Sequence, residues 1–303
     1  MDLTRRDFLG HLGAGIVSRY LGPVADLWAD QAEKAPARQR YRIGVCDWMI
    51  LKRQRPGAFE LASRIGVDGV EVDMGPLGDR ETFESRLADP GFRGQFLTEA
   101  HRYRLEICSI AMSGFYAQSF AERPTVQRMI HDCIETAKIL SVKVAFLPLG
   151  VRGDLIKYPQ LRPIIVERLK AAGAMAEQVG VTIGLETSLD AAGDLALLEQ
   201  IGSPAIRIYF NFANAVKAKR DICSELQVLG KDRICQIHCT NEDGLLLQDD
   251  PQIDMPKIKR TLDLMGWAGW LVLERSRSAK NPHDVVGNFG SNARYVRSVF
   301  QAG

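Results

Sequence analysis

From Tyr41 onward one unit recurs: a short apolar run, a polar loop, an amphipathic stretch of helical period, and a glycine just before the next apolar run. Apolar runs fall at residues 42–47, 69–73, 106–112, 143–147, 181–186, 206–211, 234–238 and 270–274. Between them the period changes from two to 3.6; Leu161, Ile164, Ile165, Leu169, Ala172, Met175 and Val179 fall on one stripe, for example. Gly66, Gly180, Gly202, Gly230 and Gly266 stand where a helix needs a left-handed terminating residue. Strands that alternate with helices in this way predict an α/β fold with a parallel sheet, and eight of them predict a closed (β/α)8 TIM barrel. An open doubly wound sheet that binds nucleotides loses support, because neither G-x-G-x-x-G nor G-x-x-x-x-G-K follows any strand. No linker rich in Pro, Gly or Ser interrupts the pattern, so residues 38–303 are read as one domain.

What precedes residue 38 is different. Residues 4–9, Thr-Arg-Arg-Asp-Phe-Leu, resemble a twin-arginine export signal, followed by a weakly apolar stretch and an Ala35-Pro36-Ala37 cleavage triplet. Residues 1–37 are therefore expected to be a signal that sends the protein to the periplasm; without it the protein is cytoplasmic. The formal charge of +2 is too small for a counterion-releasing grip on nucleic acid. No apolar run reaches the length of a spanning helix, so stable membrane insertion is not expected. The six cysteines form no C-x-x-C pair, and Cys235 and Cys239, roughly 13 Å apart along one strand, are beyond disulfide reach. Cys235, Ile237 and Cys239 are expected to face the helices. The composition leaves a homo-oligomer open.

In a barrel of this type chemistry sits at the carboxyl ends of the strands. The last four apolar runs close on Glu186, Asn211, His238 and Glu274. Alternation along a strand puts Glu186 on the face of Gly184, His238 on that of Gln236, and Glu274 on that of Val272, so these three turn inward at the rim where Asn211 also ends its run. An oxygen-rich set with one imidazole and no thiolate suits one divalent ion, Mn²⁺, Mg²⁺, Co²⁺ or Zn²⁺.

The segments I-G-L-E-T (183–187), N-F-A-N (211–214), I-H-C-T-N (237–241) and G-W-A-G-W-L-V-L-E (266–274), with G-V-D-G-V-E-V (66–72), resemble the xylose-isomerase-like sugar phosphate isomerase/epimerase superfamily. The resemblance covers nearly all of the chain after residue 40. It implies a carbohydrate substrate, one metal bound by a Glu, an Asp, a His and a Glu, and two glutamates that move a proton next to a carbonyl through an enediolate. Carried over, Glu186 and Glu274 are the catalytic pair, His238 the histidine ligand, and Asn211 stands where the family usually has Asp. Thr240-Asn241 replaces the usual Lys-Asp pair. Asn214, Trp48, Glu71 and Arg275 are expected to contact the substrate.

A lyase acting on a 3-keto-glycoside would use the same groups, and a non-catalytic carbohydrate-binding barrel would keep only the cleft. A multi-zinc phosphodiesterase on this barrel needs several histidines at strand ends, whereas of His11, His101, His131, His238 and His283 only His238 ends a strand.

Overall fold

The computed structural model describes residues 39–301. The twin-arginine-like segment and the boundary at residue 37 lie outside the described residues. Eight strands, β1 (Tyr41–Cys46), β2 (Gly69–Asp73), β3 (Glu106–Ala111), β4 (Val144–Pro148), β5 (Thr182–Glu186), β6 (Ile206–Asn211), β7 (Ile234–His238) and β8 (Gly269–Leu273), form a closed barrel in chain order. Every pairing is parallel, and β8 closes on β1 through Arg42 opposite Trp270 and Val45 opposite Leu273. The expected α/β TIM barrel is the observed fold.

Nine α-helices are present among the described residues: α1 (Gly57–Ile65), α2 (Pro90–Arg102), α3 (Val126–Ile139), α4 (Arg162–Val179), α5 (Ala191–Ile201), α6 (Phe212–Lys217), α7 (Ile222–Leu229), α8 (Met255–Met265) and α9 (Val285–Phe300). The stripe on α4 packs as its period predicts: Ile165, Leu169 and Ala172 are buried, and Leu161, Ile164, Met175 and Val179 lie against the same core. Asp residues cap five helices, each accepting from a backbone N–H in the first turn, as Asp89 does for α2 and Asp190 for α5. Gly66, Gly180, Gly202 and Gly266 take the left-handed conformation after their helices. Gly230 departs from this expectation. Its φ of 72° comes with a ψ of 159°, an extended mirror conformation that hands the chain to the short turn Lys231–Arg233.

The barrel divides the core in two. Outward strand residues such as Val45, Val72, Ile183 and Leu271 join the helices in the larger cluster, while Cys46, Cys108, Ala111, Phe146, Tyr209 and Val272 fill the barrel interior. Two register shifts, between Val70 and Glu71 against β3 and between Ile208 and Tyr209 against β7, leave Cys108 and Cys235 without strand partners. Both thus pack against the interior cluster. For Cys235 this corrects the expectation that it faces the helices, because a bulge breaks the simple alternation. All six cysteines are free. Among the described residues no helix is long and apolar enough to cross a membrane.

Candidate active site

Glu186 ends β5, Asn211 ends β6, His238 ends β7, and Glu274 follows β8 directly. The structure brings all four together. His238 Nδ1 lies 3.1 Å from Glu186 Oε2 and 3.7 Å from Glu274 Oε2. Asn211 Nδ2 donates to the same two oxygens, at 2.9 and 3.2 Å. Across the cleft, Tyr116 Oη donates to Glu186 Oε1 at 2.7 Å and contacts Glu274 Oε1 at 3.3 Å. One face of the carboxylate pair is thus held by Asn211 and the other by Tyr116.

Each of these side chains is positioned by its neighbours. Thr240 Oγ1 accepts from the backbone N–H groups of Glu274 and Arg275, at 3.2 and 2.9 Å, and so fixes where the chain leaves β8. Tyr116 ends the short turn Ser113–Tyr116, whose first N–H donates to Asp73 Oδ2 at 3.2 Å. Asp73 is itself buried, accepts from Gly75 N at 2.8 Å and pairs with Arg53 at 3.3 Å, so the end of β2 anchors the loop that carries the tyrosine. His238 is held from below: its Nε2 is 3.0 Å from Glu71 Oε1. The other Glu71 oxygen accepts from Ser109 Oγ at 2.6 Å and Tyr209 Oη at 2.9 Å. Both ring nitrogens face carboxylate oxygens, so the protonated imidazole donates from each; to offer the Nδ1 lone pair to a cation it gives up that proton and keeps the one on Nε2, which donates to Glu71.

Electrostatics sharpen the picture. Burial alone would lower the His238 pKa, but the surrounding Glu274, Glu71 and Glu186 carboxylates overcome it and hold the imidazole well above its usual range. Burial would raise Glu186, yet its bonds to His238, Asn211 and Tyr116 bring it below the ordinary glutamate value. Glu274 is pushed up, by burial first and by the Glu186 charge beside it.

The donor chemistry fits a cation. Two carboxylate oxygens and one imidazole nitrogen converge on one point, a set that could hold a divalent cation once the imidazole gives up the proton on Nδ1. Separations of 3.1–3.7 Å between Nδ1 and the two oxygens are also those of neighbouring ligands on one small divalent ion. Asn211, expected as a fourth ligand, presents its N–H end to the same point. Cys46 Sγ, Glu71 and His238 Nε2 also approach one another, at 3.4 and 3.7 Å from the thiol. That triple is fully buried, and burial together with Glu71 pushes the thiol pKa well up. A protonated thiol that donates to Glu71 accounts for its contacts.

Above the four side chains opens a cleft of about 480 Å³, whose lining includes Tyr116, Glu186, Asn211, Asn214, Glu274 and Arg275. Of the residues expected to meet substrate, Asn214 and Arg275 therefore face it. Asn214 Nδ2 is tied to Thr187 O at 3.1 Å. Trp48 instead stacks on Phe146, with ring centroids 6.4 Å apart, and Glu71 is fully buried with both oxygens engaged beneath the cleft. The structure does not bring either into the cleft. Tyr116, Thr240 and Ser109 were not among the expected site residues. An aromatic after strand three that could stack on a sugar is the one signal for Tyr116, the Thr240-Asn241 pair at the usual Lys-Asp position marks Thr240, and Ser109 carries none.

Thr187, which lines the cleft, donates to Asp194 Oδ1 at 2.6 Å. Burial raises Asp194 to about 7, against about 4 in an unfolded chain. Between those values the folded state binds the extra proton. The stabilisation is complete below the unfolded pKa and is lost as pH rises through the folded one. Asp194→Asn, which keeps the acceptor for Thr187, should remove this loss: its gain over the parent in urea unfolding is expected to be near zero at about pH 4 and a few kcal/mol at about pH 8. Equal gains at both pH values would contradict the assignment.

A sequence profile for the xylose isomerase-like TIM barrel matches residues 59–296. The chain belongs to that family. Among curated proteins this family member is similar to the 2-epi-5-epi-valiolone 7-phosphate 2-epimerase of Actinoplanes sp., with 27% identity over 198 residues that make up 64% of this chain and 71% of that protein. Its barrel is similar to that of a D-psicose 3-epimerase from Clostridium cellulolyticum crystallised with D-tagatose, with a TM-score of 0.69 at 14% identity, over 86% of this chain and 99% of the other. A 3-keto-D-glucoside 4-epimerase from E. coli superposes with a TM-score of 0.65 at 14% identity, over 85% and 99% of the two chains. At these identities the structural likenesses concern the fold.

Proposed function

We propose that this family member is a carbohydrate epimerase or isomerase that moves a proton on a carbon next to a carbonyl, with Glu186 and Glu274 as the acid and base pair. The observation that carries the reading is the pairing of these two buried carboxylates, tied to one another through Asn211 and Tyr116, at the floor of an open cleft. The similarity to an epimerase at 27% identity supports it. Two carboxylates suit inversion at carbon, one to remove the proton and one to return it to the opposite side. Elimination could use the same pair as base and acid, so it is the similarity to an epimerase that favours epimerisation over the lyase reading.

Glu186, His238 and Glu274 would hold one divalent cation. When bound, such an ion draws electron density from the carbonyl and an adjacent hydroxyl oxygen of the sugar and so acidifies the C–H between the carboxylates. The rest falls to the protein. Glu186, stabilised as an anion by its three hydrogen-bond partners, takes the proton and leaves an enediolate. Glu274, whose pKa is raised by burial and by the neighbouring charge, is the partner that returns a proton from its own side. Asn214 and Arg275 orient the sugar at the cleft wall, and Tyr116 shields the carboxylates from water.

The test starts with protein purified without chelators from the periplasmic fraction, where the twin-arginine-like segment would send it. Mn, Co or Zn at about one ion per chain is expected, with epimerisation of at least one member of a panel of ketoses, their phosphates and 3-keto-glycosides in D2O, read as deuterium entering the product. Metal-free protein that binds sugars without exchanging a proton would establish a carbohydrate-binding barrel instead.

A further inference from the structure

We infer that Asn211 is not a ligand of the cation but the clamp that gathers Glu186 and Glu274 to one point, so that the ion rests on Glu186, His238 and Glu274 alone. The inference rests on the reading of the site given above. A carboxamide has one accepting end and one donating end. Asn211 uses both. Its Oδ1 accepts from the backbone N–H of Ala213 at 2.9 Å, where it opens α6. Its Nδ2 donates to Glu186 Oε2 at 2.9 Å and to Glu274 Oε2 at 3.2 Å.

These partners decide which way the amide lies. Turned over, the amide would set its NH2 against the Ala213 N–H and its carbonyl oxygen against two carboxylate oxygens, replacing three matched contacts by three mismatched ones. For Oδ1 to reach a cation held among Glu186, His238 and Glu274, it must leave Ala213, and the first turn of α6 then loses its side-chain cap. An aspartate at this position would escape the conflict, because it has an acceptor at either end and could cap the helix with one oxygen while offering the other. Asparagine cannot do both. The ligand set therefore carries the charge of two carboxylates and leaves coordination positions open toward the cleft, while the amide keeps the two carboxylates aligned when the ion is absent.

The test measures Mn²⁺ binding to metal-stripped protein by calorimetry, with folding of each variant checked by circular dichroism, and needs no substrate. His238→Ala should weaken binding by more than about 100-fold, and Asn211→Ala by less than about 10-fold, because one removes a ligand and the other only a positioning contact. Asn211→Asp should tighten it by about 10-fold or more, through an added charged ligand. A crystal structure of the parent protein with Mn²⁺ should show Oδ1 still on Ala213 N, a result that depends on no variant. Oδ1 within bonding distance of the ion, or an Asn211→Ala loss as large as that of His238→Ala, would overturn the inference while leaving the metal site intact. A parent protein that binds neither Mn²⁺ nor Co²⁺ nor Zn²⁺ would overturn both together.

Discussion

Glutamine in place of Glu186 or of Glu274 is expected to lower turnover by about 10²–10⁴-fold in each case, the range lost when a positioned acid or base is removed. The two losses should differ in kind. Glu186 is held below the ordinary glutamate pKa by His238, Asn211 and Tyr116, whereas Glu274 is raised by burial and by Glu186. On the proposed mechanism each carboxylate serves its own side of the reacting carbon, so each single variant should still exchange the proton of one epimer with solvent while interconverting neither. Proton NMR in D2O separates these outcomes: one variant labels one epimer, the other variant the other, and the double variant labels none. Both changes keep the volume of the side chain, so the barrel should remain folded. Most of the turnover surviving in both single variants would remove the two-base mechanism, whatever the metal content.

How much of this was legible in the sequence follows from where each signal arises. Strands buried on both faces read as apolar runs, and with a helix and a glycine between successive runs their bounds came within one residue of those observed. Glu186, Asn211, His238 and Glu274 were legible because each stands at the end of such a run, where the barrel has its rim. Alternation alone could indicate which face a side chain takes but not its depth or its partner. Glu71 thus looked like a rim residue on the inward face, yet it reaches across the interior from β2 to His238 on β7. Cys235 was misplaced because the bulge beside Tyr209 leaves no trace in polarity. Tyr116 belongs to a loop, where no period applies, and its place is set by Asp73 capping a short turn. The polarity of the Asn211 amide is a different kind of fact. It depends on which of its two ends meets the helix and which meets the carboxylates, and only the assembled site settles that.

Glu71 is where the second large effect is expected, although the side chain touches nothing in the cleft. It accepts from Ser109, Tyr209, Cys46 and His238, all inside the barrel. Removing it by Glu71→Ala leaves two hydroxyls and an imidazole N–H without acceptors in a region closed to water, and the loss of one member of a buried charged network costs about 3–5 kcal/mol. Urea unfolding should show that loss. Glu71→Gln is the more telling change, since it preserves volume and one acceptor but brings an NH2 into a ring of donors. His238 then has no fixed reason to keep its proton on Nε2, and a proton on Nδ1 blocks the nitrogen that faces Glu186 and Glu274. Cation affinity is accordingly expected to fall by about 10–100-fold, as it does when the partner that orients a ligating histidine is lost, with a smaller cost in stability than for alanine. Glu71→Gln protein that binds Mn²⁺ as tightly as the parent would show that the tautomer of His238 is set elsewhere. The carboxylate beneath the histidine would then be a packing group for Ser109 and Tyr209 alone.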